Sequence, residues 1–291
     1  MIYPTIQSRT PIHKGWSGDE KFCVTTSLGV KYLLRVSAME RMARRKLEFE
    51  RMHRVAQLGI PMCTPVEFGQ CAEGVYTLHS WVDGRDAEEI IPALSGQAQY
   101  AYGLDAGKIL AKIHSIPAPA DALPWEPRFN AKIDRKMAMY KECPLKYDGG
   151  EVFMCYLSEN RHLLAHRPQS YQHGDYHIGN MMITTEGVLT VIDFDKDDYG
   201  DPWEEFNRIV WSAQAAPDFA RGMVDGYFGG DVPMEFWELL ALYIGSNVLG
   251  SLPWAIPFGE KEVSVMRSQA VQVLQWYDNM KNVVPTWYHG E

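Results

Sequence analysis

A short polar loop followed by an apolar hairpin constrains this chain of 291 residues more than any other feature. The segment Tyr171–Asn180 reads YQHGDYHIGN and sets Asp175 and Asn180 five residues apart. The next residues, 181–192, are predicted to form two short strands around a Glu-Gly turn, and Asp193 follows them. The hairpin therefore places the polar loop before its first strand and Asp193 at the exit of its second.

These three polar side chains are the ones that a kinase-type phosphoryl transfer requires. One carboxylate orients a substrate hydroxyl and accepts its proton, while an amide and a second carboxylate hold magnesium on the nucleotide phosphates. The protein-kinase catalytic loop, H-R-D-x-x-x-x-N, has the same spacing as Asp175 and Asn180. Gly174 stands where that motif has Arg, and Asp195 stands where D-F-G has Gly.

With these two departures, the residues HGDYHIGN and VIDFD resemble the aminoglycoside phosphotransferase family. The resemblance implies an α+β, two-lobed, protein-kinase-like fold with a small antiparallel-sheet N-terminal lobe and a larger, mainly helical C-terminal lobe. It implies that Asp175 is the catalytic base, that Asn180 and Asp193 are Mg²⁺ ligands, and that His173 braces the loop. The donor would be ATP or GTP. The acceptor would be a hydroxyl of an aminoglycoside-type antibiotic or a related amine or sugar, with macrolides and choline-like metabolites as alternatives.

The order of the predicted elements agrees with such a fold. Residues 1–82 are predicted to form the nucleotide-binding lobe, with a hinge at about 79–83, and residues 83–291 the catalytic and substrate-binding lobe. A charged helix is expected at about Met39–Leu58, ended by Gly59 and Pro61. Strands are expected at Lys21–Thr26, Lys31–Val36, Val66–Cys71 and Val75–Ser80. Further helices are expected at Ser95–Ser115, Phe129–Glu142, Val152–His166, Pro202–Ala213, Met234–Leu249 and Val263–Met280.

The N-terminal lobe offers a cation for the nucleotide phosphates. A kinase needs one on its third strand, paired with a Glu on the following helix. Arg35 stands where the family more often has Lys, and Lys31 is the fallback. The helical partner of Arg35 is predicted to be Glu48, because Met52 and later apolar residues follow it on nearly the same face of the helix. Glu50 is the alternative.

Two backbone segments complete the expected nucleotide site. Ser17 and Gly18 are predicted to contact phosphate through backbone N–H groups, as the family's irregular loop does. The segment from Leu78 to Gly84 resembles the family's hinge, where backbone groups near Ser80 and Val82 would bind the purine edge. The sequence does not choose between ATP and GTP.

Two other polar residues are given structural roles. Asp201 opens a segment that resembles the family's D-P-x-x-D pattern, and it is predicted mainly to cap the following helix. His114, at the end of a helix, is predicted to be structural.

Four other interpretations of the polar motifs compete with the kinase interpretation, and the sequence argues against the third of them. His173, Asp175 and His177 form H-x-D-x-H, a pattern that could ligate a metal. The D-x-D at Asp193 is how a haloacid-dehalogenase-like phosphatase presents its nucleophile. The same stretch imitates an EF-hand loop, but Asp198 stands where the sharp turn needs Gly. The fourth is a kinase scaffold that binds nucleotide without catalysis.

Composition limits the partners and the compartment. A net charge of −9 argues against a nucleic-acid partner. No apolar run approaches the length of a membrane span, and no secretory signal is recognisable at the N-terminus. The five cysteines are odd in number and lack C-x-x-C spacing, so reduced thiols in a cytoplasmic protein are expected. The oligomeric state stays undetermined.

Overall fold

A computed structural model describes residues 1–14 and 18–289. The strands are β1 (Ile6–Pro11), β2 (Glu20–Thr26), β3 (Lys31–Ser37), β4 (Pro65–Cys71), β5 (Gly74–Ser80), β6 (Gly84–Asp86), β7 (Ser170–Gln172), β8 (Met181–Thr184), β9 (Leu189–Val191) and β10 (Asp198–Gly200). The α-helices are α1 (Met42–Ala56), α2 (Ala87–Ile90), α3 (Gly96–Ile113), α4 (Trp125–Glu142), α5 (Gly150–Glu159), α6 (Ile209–Ala215), α7 (Pro217–Phe228), α8 (Met234–Ala255), α9 (Glu260–Trp276) and α10 (Thr286–His289). Short 3₁₀ helices cover Tyr3–Thr5, Met39–Arg41, Ile91–Ala93, Arg161–Leu164, Ile178–Asn180, Glu204–Arg208 and Ile256–Phe258.

The chain divides into two compact units. The first unit comprises Met1–Ala87 and Asn180–Asp197, and the second comprises Glu88–Gly179 and Asp198–Glu291. The hairpin that follows the polar loop thus belongs to the first unit, although it lies far along the chain. The predicted hinge at 79–83 stays a prediction.

The first unit is built on an antiparallel sheet with the strand order β1-β2-β3-β5-β4. One face buries an apolar cluster, because alternate residues of a strand point to the same side. The cluster consists of Val24, Leu34, Val36, Tyr76 and Leu78. The side chain of the intervening residue, Arg35, therefore leaves the opposite face.

A smaller sheet in the same unit contains the predicted hairpin. Its order is β6-β8-β9, and Met181 pairs with Val191 in the hairpin. The turn is made by Gly187, whose φ of 79° lies in the left-handed region that glycine adopts without strain. Its N–H donates to the Thr184 carbonyl at 2.9 Å.

In the second unit, α3 and α7 cross at very short range. Gly103 and Gly107 on α3 meet Gly222 and Gly226 on α7. A Cβ on Gly107 would lie 2.2 Å from the Met223 carbonyl oxygen, and one on Gly103 would lie 2.2 Å from that of Phe219. The four glycines are therefore required for this crossing, since any side chain would push the helices apart.

The core helix of the second unit is α8. With the following 3₁₀ turn, the segment Met234–Phe258 is long and apolar enough to cross a membrane, but 67% of its most apolar window is buried within the protein. Isolated polar residues interrupt this helix, so it contains no unbroken apolar run of that length, and the expectation that the chain does not cross a bilayer stays a prediction. Burial of that extent is what the core helix of a globular unit shows.

The predicted α+β class, with an antiparallel sheet first and a mainly helical remainder, is confirmed. The charged helix begins at Met42 after a 3₁₀ turn. The helix predicted from Val152 to His166 ends at Glu159, and a 3₁₀ helix follows it. Helix α7 was not predicted, because its glycines have a poor helix propensity.

Candidate active site

The first unit holds two of the predicted site residues at one end of the β8–β9 hairpin. Asn180 directly precedes β8, and Asp193 follows β9 after one intervening residue, Ile192. The Ile192 N–H donates to the Asn180 carbonyl at 3.0 Å, so the two strand ends are fixed against each other. Asp193 has φ of 66°, a left-handed conformation that Asp tolerates better than most residues and that is often found at functional sites.

Asp193 is paired with cations from the five-stranded sheet. The Arg35 Nη1 lies 2.9 Å from its Oδ1, and the Lys21 Nζ lies 3.6 Å from its Oδ2. Arg35 also contacts Asp195 at 2.6 Å and Asp19 at 3.5 Å. Burial opposes the charge of this guanidinium, but the carboxylates of Asp193, Asp195 and Asp19 outweigh it, and the net pKa of Arg35 is raised. Arg35 is therefore a buried, permanently charged group directed at the predicted metal ligand.

The predicted pairing of Arg35 with Glu48 is wrong. Glu48 instead accepts from Arg44 Nε and Arg45 Nη1, each at 2.6 Å. These arginines lie four and three residues before it on α1, so they are its immediate neighbours on the helix surface. The alternative, Glu50, lies on the exposed surface at 4.0 Å from Lys46.

Asp19 occupies the place that a helical Glu was expected to fill. Its side chain is fully buried, accepts from the Ser37 hydroxyl at 2.7 Å, and pairs with Arg45 as well as Arg35. Burial alone would raise the pKa of Asp19, but the Ser37 hydrogen bond and the two arginines hold it below its ordinary value. Sequence reasoning missed Asp19, since the only available signal was its position beside Gly18.

The remaining nucleotide-site predictions have less support from local geometry. Ser17 lies outside the described residues, and Gly18 lies in an exposed bend before β2. The Ser80 N–H donates to the Thr64 carbonyl at 2.8 Å, and the Ser80 hydroxyl accepts the Thr64 N–H at 2.8 Å. The Ser80 N–H is thus used within the sheet. Val82 lies between β5 and β6, outside regular secondary structure. Purine binding at Ser80 and Val82 stays a prediction.

Another cation proved better placed than the predicted fallback, Lys31. Lys31 is exposed at the start of β3, whereas Lys21 lies directly opposite Arg35 in the β2–β3 register. Lys21 therefore approaches Asp193 from the same sheet. Because the sheet register was not known from the sequence, Lys21 was not identified there.

The second unit holds Asp175 on a tightly fixed loop after β7. Gly174 adopts φ of 84°, and its N–H donates to the buried Glu205 at 2.9 Å. The Tyr176 N–H donates to the same carboxylate at 3.4 Å, and the Asp175 N–H donates to His173 Nδ1 at 3.3 Å. The loop is thus held on both sides of Asp175, and His173 braces it as predicted.

The carboxylate that fixes this loop is itself surrounded by aromatic and imidazole groups. His114 Nε2 lies 3.8 Å from the Glu205 carboxylate, and its Nδ1 lies 3.0 Å from the Tyr227 hydroxyl. The structural role predicted for His114 is confirmed by these contacts. Glu205 was interpreted only as an acidic residue of a first turn, because its contact with the loop spans 31 positions of sequence.

Two basic groups lie beside the Asp175 carboxylate. The Arg208 Nε is 3.3 Å from Asp175 Oδ1, and the His177 Nε2 is 3.8 Å from the same atom. Burial lowers the pKa of His177 to about 4, although Asp175 acts in the opposite direction. His177 is therefore neutral near pH 7, and Arg208 is the positive neighbour of Asp175.

Asp201 was expected to cap a helix, and the structure gives it a larger role. It accepts the Trp203 N–H at 3.0 Å, but the helical segment begins only at Glu204, with Trp203 as the flanking residue. Its carboxylate also takes two hydrogen bonds from Arg167 and one from the Tyr243 hydroxyl. Asp201 is thus a buried anchor of the second unit and not only a cap.

The described residues contain no group of three His, Cys, Asp or Glu side chains that could hold a metal ion. The H-x-D-x-H interpretation therefore gains no support from them. Magnesium does not need such a group, since it binds through one or two carboxylates and the substrate phosphates.

Comparison with known proteins identifies the family. The model of the phosphotransferase enzyme family matches residues 8–237, most of the chain. The chain belongs to this family. No curated protein matches the sequence. As a phosphotransferase, the protein is a small-molecule kinase with a hydroxyl acceptor, and the predicted enzyme class and family are confirmed.

Solved structures of similar proteins support the same fold. A thermostable mutant of aminoglycoside phosphotransferase APH(4)-Ia has a TM-score of 0.65 at 15% identity, with 94% of this chain and 95% of that chain covered. A choline/ethanolamine kinase family protein from Mesorhizobium loti has a TM-score of 0.65 at 14% identity, with 94% and 91% covered. The gentamicin complex of APH(2")-IIa has a TM-score of 0.63 at 16% identity, with 92% of each chain covered. The protein-kinase-like architecture of the phosphotransferase is thereby confirmed.

Proposed function

We propose that this phosphotransferase moves the γ-phosphoryl group of ATP or GTP to a hydroxyl of a small molecule, an aminoglycoside-type compound or a related amine or sugar. The observation that supports this most is that all three catalytic groups are present and that each is held in place within its own unit. Asp175 lies on a loop held by Glu205, and Asn180 and Asp193 are joined at one end of a hairpin. A scaffold kept only for binding would not need to preserve all three.

The transfer follows from what these side chains can do. Asp175 accepts a hydrogen bond from the acceptor hydroxyl and takes its proton as the oxygen attacks the γ-phosphorus. The new O–P bond forms while the bond from that phosphorus to the β,γ-bridging oxygen breaks, and the nucleoside diphosphate leaves. The proton passes from Asp175 to solvent. Arg35 neutralises charge on the phosphate oxygens, which in such sites is usually the largest contribution.

The donor groups at the hairpin end suit magnesium. Asn180 and Asp193 supply an amide and a carboxylate oxygen, the hard ligands that Mg²⁺ prefers, and the Asp193 side chain is 27% exposed. When bound there, Mg²⁺ would neutralise the nucleotide phosphates. Arg35 and Lys21 hold Asp193 in place until then.

The nucleotide and acceptor classes are suggested by what similar proteins bind. APH(4)-Ia has been solved with ADP and hygromycin B and with AMP-PNP and hygromycin B. APH(2")-IIa has been solved with gentamicin. A choline-like acceptor is the second candidate, supported by the equally similar fold of the choline/ethanolamine kinase family protein. A macrolide is the third, and the sequence offers no contact that selects it.

The test is phosphoryl transfer from ATP and from GTP, with magnesium, to hygromycin B, gentamicin, a macrolide, choline and a set of sugars. Asp175→Asn is the matched control, because it keeps the size of the side chain and removes the base. A product that forms with wild type and disappears with the variant supports the proposal. Tight nucleotide binding without transfer to any acceptor would instead indicate a binding module.

We further propose that the enzyme works in the cytoplasm, where its nucleotide donor is abundant. Its five cysteines are free thiols, two of them buried. Burial raises the pKa of the Cys63 thiol to about 12, which makes it unreactive. Cell fractionation with an antibody to the protein tests this location.

A further inference from the structure

Helix α4 carries two lysines on the side that packs into the second unit. Its buried residues Trp125, Phe129, Ile133 and Tyr140 recur at the spacing of one apolar stripe. Lys132 and Lys136 lie in the same stripe, one turn apart, where a purely structural helix would carry apolar side chains. Like charges at this spacing repel each other, so the two lysines destabilise the helix electrostatically.

The stem of Lys136 is accommodated by a glycine on α8. A Cβ on Gly250 would lie 3.0 Å from the Lys136 Cε, so any larger residue at 250 would displace the lysine. In the part of the chain that the structure describes, the ammonium of Lys136 has no hydrogen-bond or ion-pair partner. The fold thus makes room for a half-buried cation that has no direct ion-pair partner among the described residues.

The nearby carboxylates are already engaged. Glu204 accepts from the Lys132 Nζ at 2.8 Å and from the Gln172 amide at 3.3 Å. The other carboxylate of this region, Asp175, pairs with Arg208 at 3.3 Å. Lys132 and Arg208 thus each pair with a carboxylate, whereas Lys136 has no such pair among the described residues.

The charges that act on Lys136 connect this cluster to the catalytic loop. The pKa of Lys136 is lowered to about 7, chiefly by burial and also by the positive charges of Lys132, Arg208 and Arg135, while the carboxylate of Glu204 opposes the shift. Glu204, the partner of Lys132, lies in the same 3₁₀ helix as Arg208, four residues before it, and Arg208 contacts Asp175. A bound anion would relieve this repulsion.

We propose that the acceptor of this phosphotransferase carries an anionic group, a carboxylate or a phosphate, which binds Lys136 together with Lys132 and Arg208 while its hydroxyl meets Asp175. The inference rests on the proposed transfer reaction, but in place of the aminoglycoside-type acceptor suggested by similar proteins it points to a hydroxy acid or a sugar phosphate. A polycationic aminoglycoside would meet repulsion at the same place.

An aromatic pair lies at the C-terminal end of α8 and in the 3₁₀ helix that follows it. Trp254 lies four residues after Gly250, one turn along the helix, and its ring packs 4.8 Å from that of Phe258. Both rings remain exposed, Trp254 by 42% and Phe258 by 47%. They could cover the carbon skeleton of an acceptor whose anionic end is held at Lys136.

The first test needs no phosphoryl transfer. Inorganic phosphate is titrated calorimetrically into the protein saturated with AMP-PNP and magnesium. The bound nucleotide keeps the added phosphate out of the positions of its own phosphate groups. Wild type and the control variant Lys141→Met, an exposed lysine on the same helix, should bind phosphate equally. Lys136→Met should bind it about tenfold or more weakly, while Lys136→Arg should stay within about threefold of wild type. Circular dichroism confirms that each variant is folded.

Proton uptake gives a second readout from the same titration. Because a bound anion favours the charged ammonium, wild type should take up protons with phosphate at pH 8, and Lys136→Met should take up fewer. This comparison in two buffers of different ionisation enthalpy also separates Lys136 from surface lysines. Equal phosphate affinity and equal proton uptake in wild type and Lys136→Met would overturn the proposal, as would phosphate binding too weak to detect in wild type.

The acceptor assay distinguishes failure of this inference from failure of the proposed function. Each neutral acceptor is compared with its anionic counterparts: glycerol with glycerate and glycerol 3-phosphate, and glucose with gluconate and glucose 6-phosphate. Gentamicin is the cationic acceptor in the same assay. Preference for the anionic members, reduced by Lys136→Met but not by Lys141→Met, supports the inference. If the enzyme transfers phosphate more efficiently to gentamicin or to the neutral members than to the anionic ones, the anion-site inference is overturned and the kinase assignment stays intact. Absence of nucleotide binding would overturn the kinase assignment. In that case the phosphate titration is run without nucleotide, and it still shows whether an anion binds at Lys136.

Discussion

Replacing Lys136 by Met should make the protein more stable, and the gain should depend on pH. Methionine has a similar length and can follow the same path along Gly250. It removes a charge that burial and neighbouring cations disfavour, as the lowered pKa of about 7 shows. Substitution of a buried lysine by an apolar residue usually costs packing or hydrogen bonds, but Lys136 makes no hydrogen bond to any residue that the structure describes.

The sign and size of this effect follow from linkage. The folded-state pKa of about 7 lies below the ordinary value of 10.5, so between these values the unfolded chain binds more protons than the folded one. The wild-type free energy of unfolding therefore rises with pH across that window, and the penalty is fully present below pH 7. At 1.36 kcal/mol per pKa unit its upper limit is about 5 kcal/mol. Because the ammonium retains contact with solvent, we expect about 1–3 kcal/mol.

The assay is urea denaturation followed by circular dichroism at pH 6, 7.5 and 9. Lys136→Met should exceed wild type by about 1–3 kcal/mol at pH 6 and by progressively less at higher pH. Lys132→Met should instead lower the free energy of unfolding by about 1–3 kcal/mol, because the largely buried Glu204 would lose its ion-pair partner. Lys141→Met, on the exposed side, should change little. A Lys136→Met protein that is less stable than wild type at pH 6, or a difference that does not vary with pH, would refute the reasoning.

Three further predictions concern the frame of the site. Gly107→Ala should lower the free energy of unfolding by about 2 kcal/mol or more in the same urea assay, since its Cβ would lie 2.2 Å from the Met223 carbonyl oxygen. The control Gly245→Ala should lower it much less, because its Cβ would lie 3.6 Å from the nearest atom. Glu205→Gln should reduce kcat about 10- to 100-fold with little change in nucleotide Kd, because it loosens the loop that carries the base; unchanged kcat would remove Glu205 from this role. Arg35→Met should raise the nucleotide Kd by about tenfold or more, as measured by calorimetry with AMP-PNP, and an unaltered Kd would exclude Arg35 as a phosphate contact.

Local features of the fold could be predicted from the sequence because local physics determines them. The β8–β9 hairpin was predicted from apolar strands around Gly187, and the five-stranded sheet contains every predicted N-terminal strand. The order of loop, hairpin and Asp193 needed only spacing along the chain. Helix α7 was missed because its glycines lower helix propensity while serving a crossing that only the folded protein contains.

Long-range partners could not be predicted in this way. Asp19 and Lys21 reach Arg35 and Asp193 through the register of β2 and β3, which no local pattern reveals. Glu205 was visible as an acidic residue, yet its role depends on a contact with the catalytic loop. In these cases tertiary packing decided which of several similar charged residues takes part in the site.

For Lys136 a sequence signal did exist. A charged residue in the apolar stripe of an amphipathic helix is expensive unless it is paired or used. The position of Lys136 in the stripe of α4 was readable from the spacing of Phe129, Ile133 and Tyr140. Its lack of a counterion became evident only when the neighbouring elements were in place.

The measurement that tests the central claim most directly is magnesium-dependent formation of ADP or GDP and a phosphorylated acceptor by wild type and by Asp175→Asn, with nucleotide affinity measured on both proteins. We expect transfer by wild type that chelation of magnesium abolishes. We expect the variant to bind nucleotide with nearly the wild-type Kd while its turnover falls by several orders of magnitude. Full turnover by Asp175→Asn would contradict the assignment of Asp175 as the base that accepts the proton of the acceptor hydroxyl.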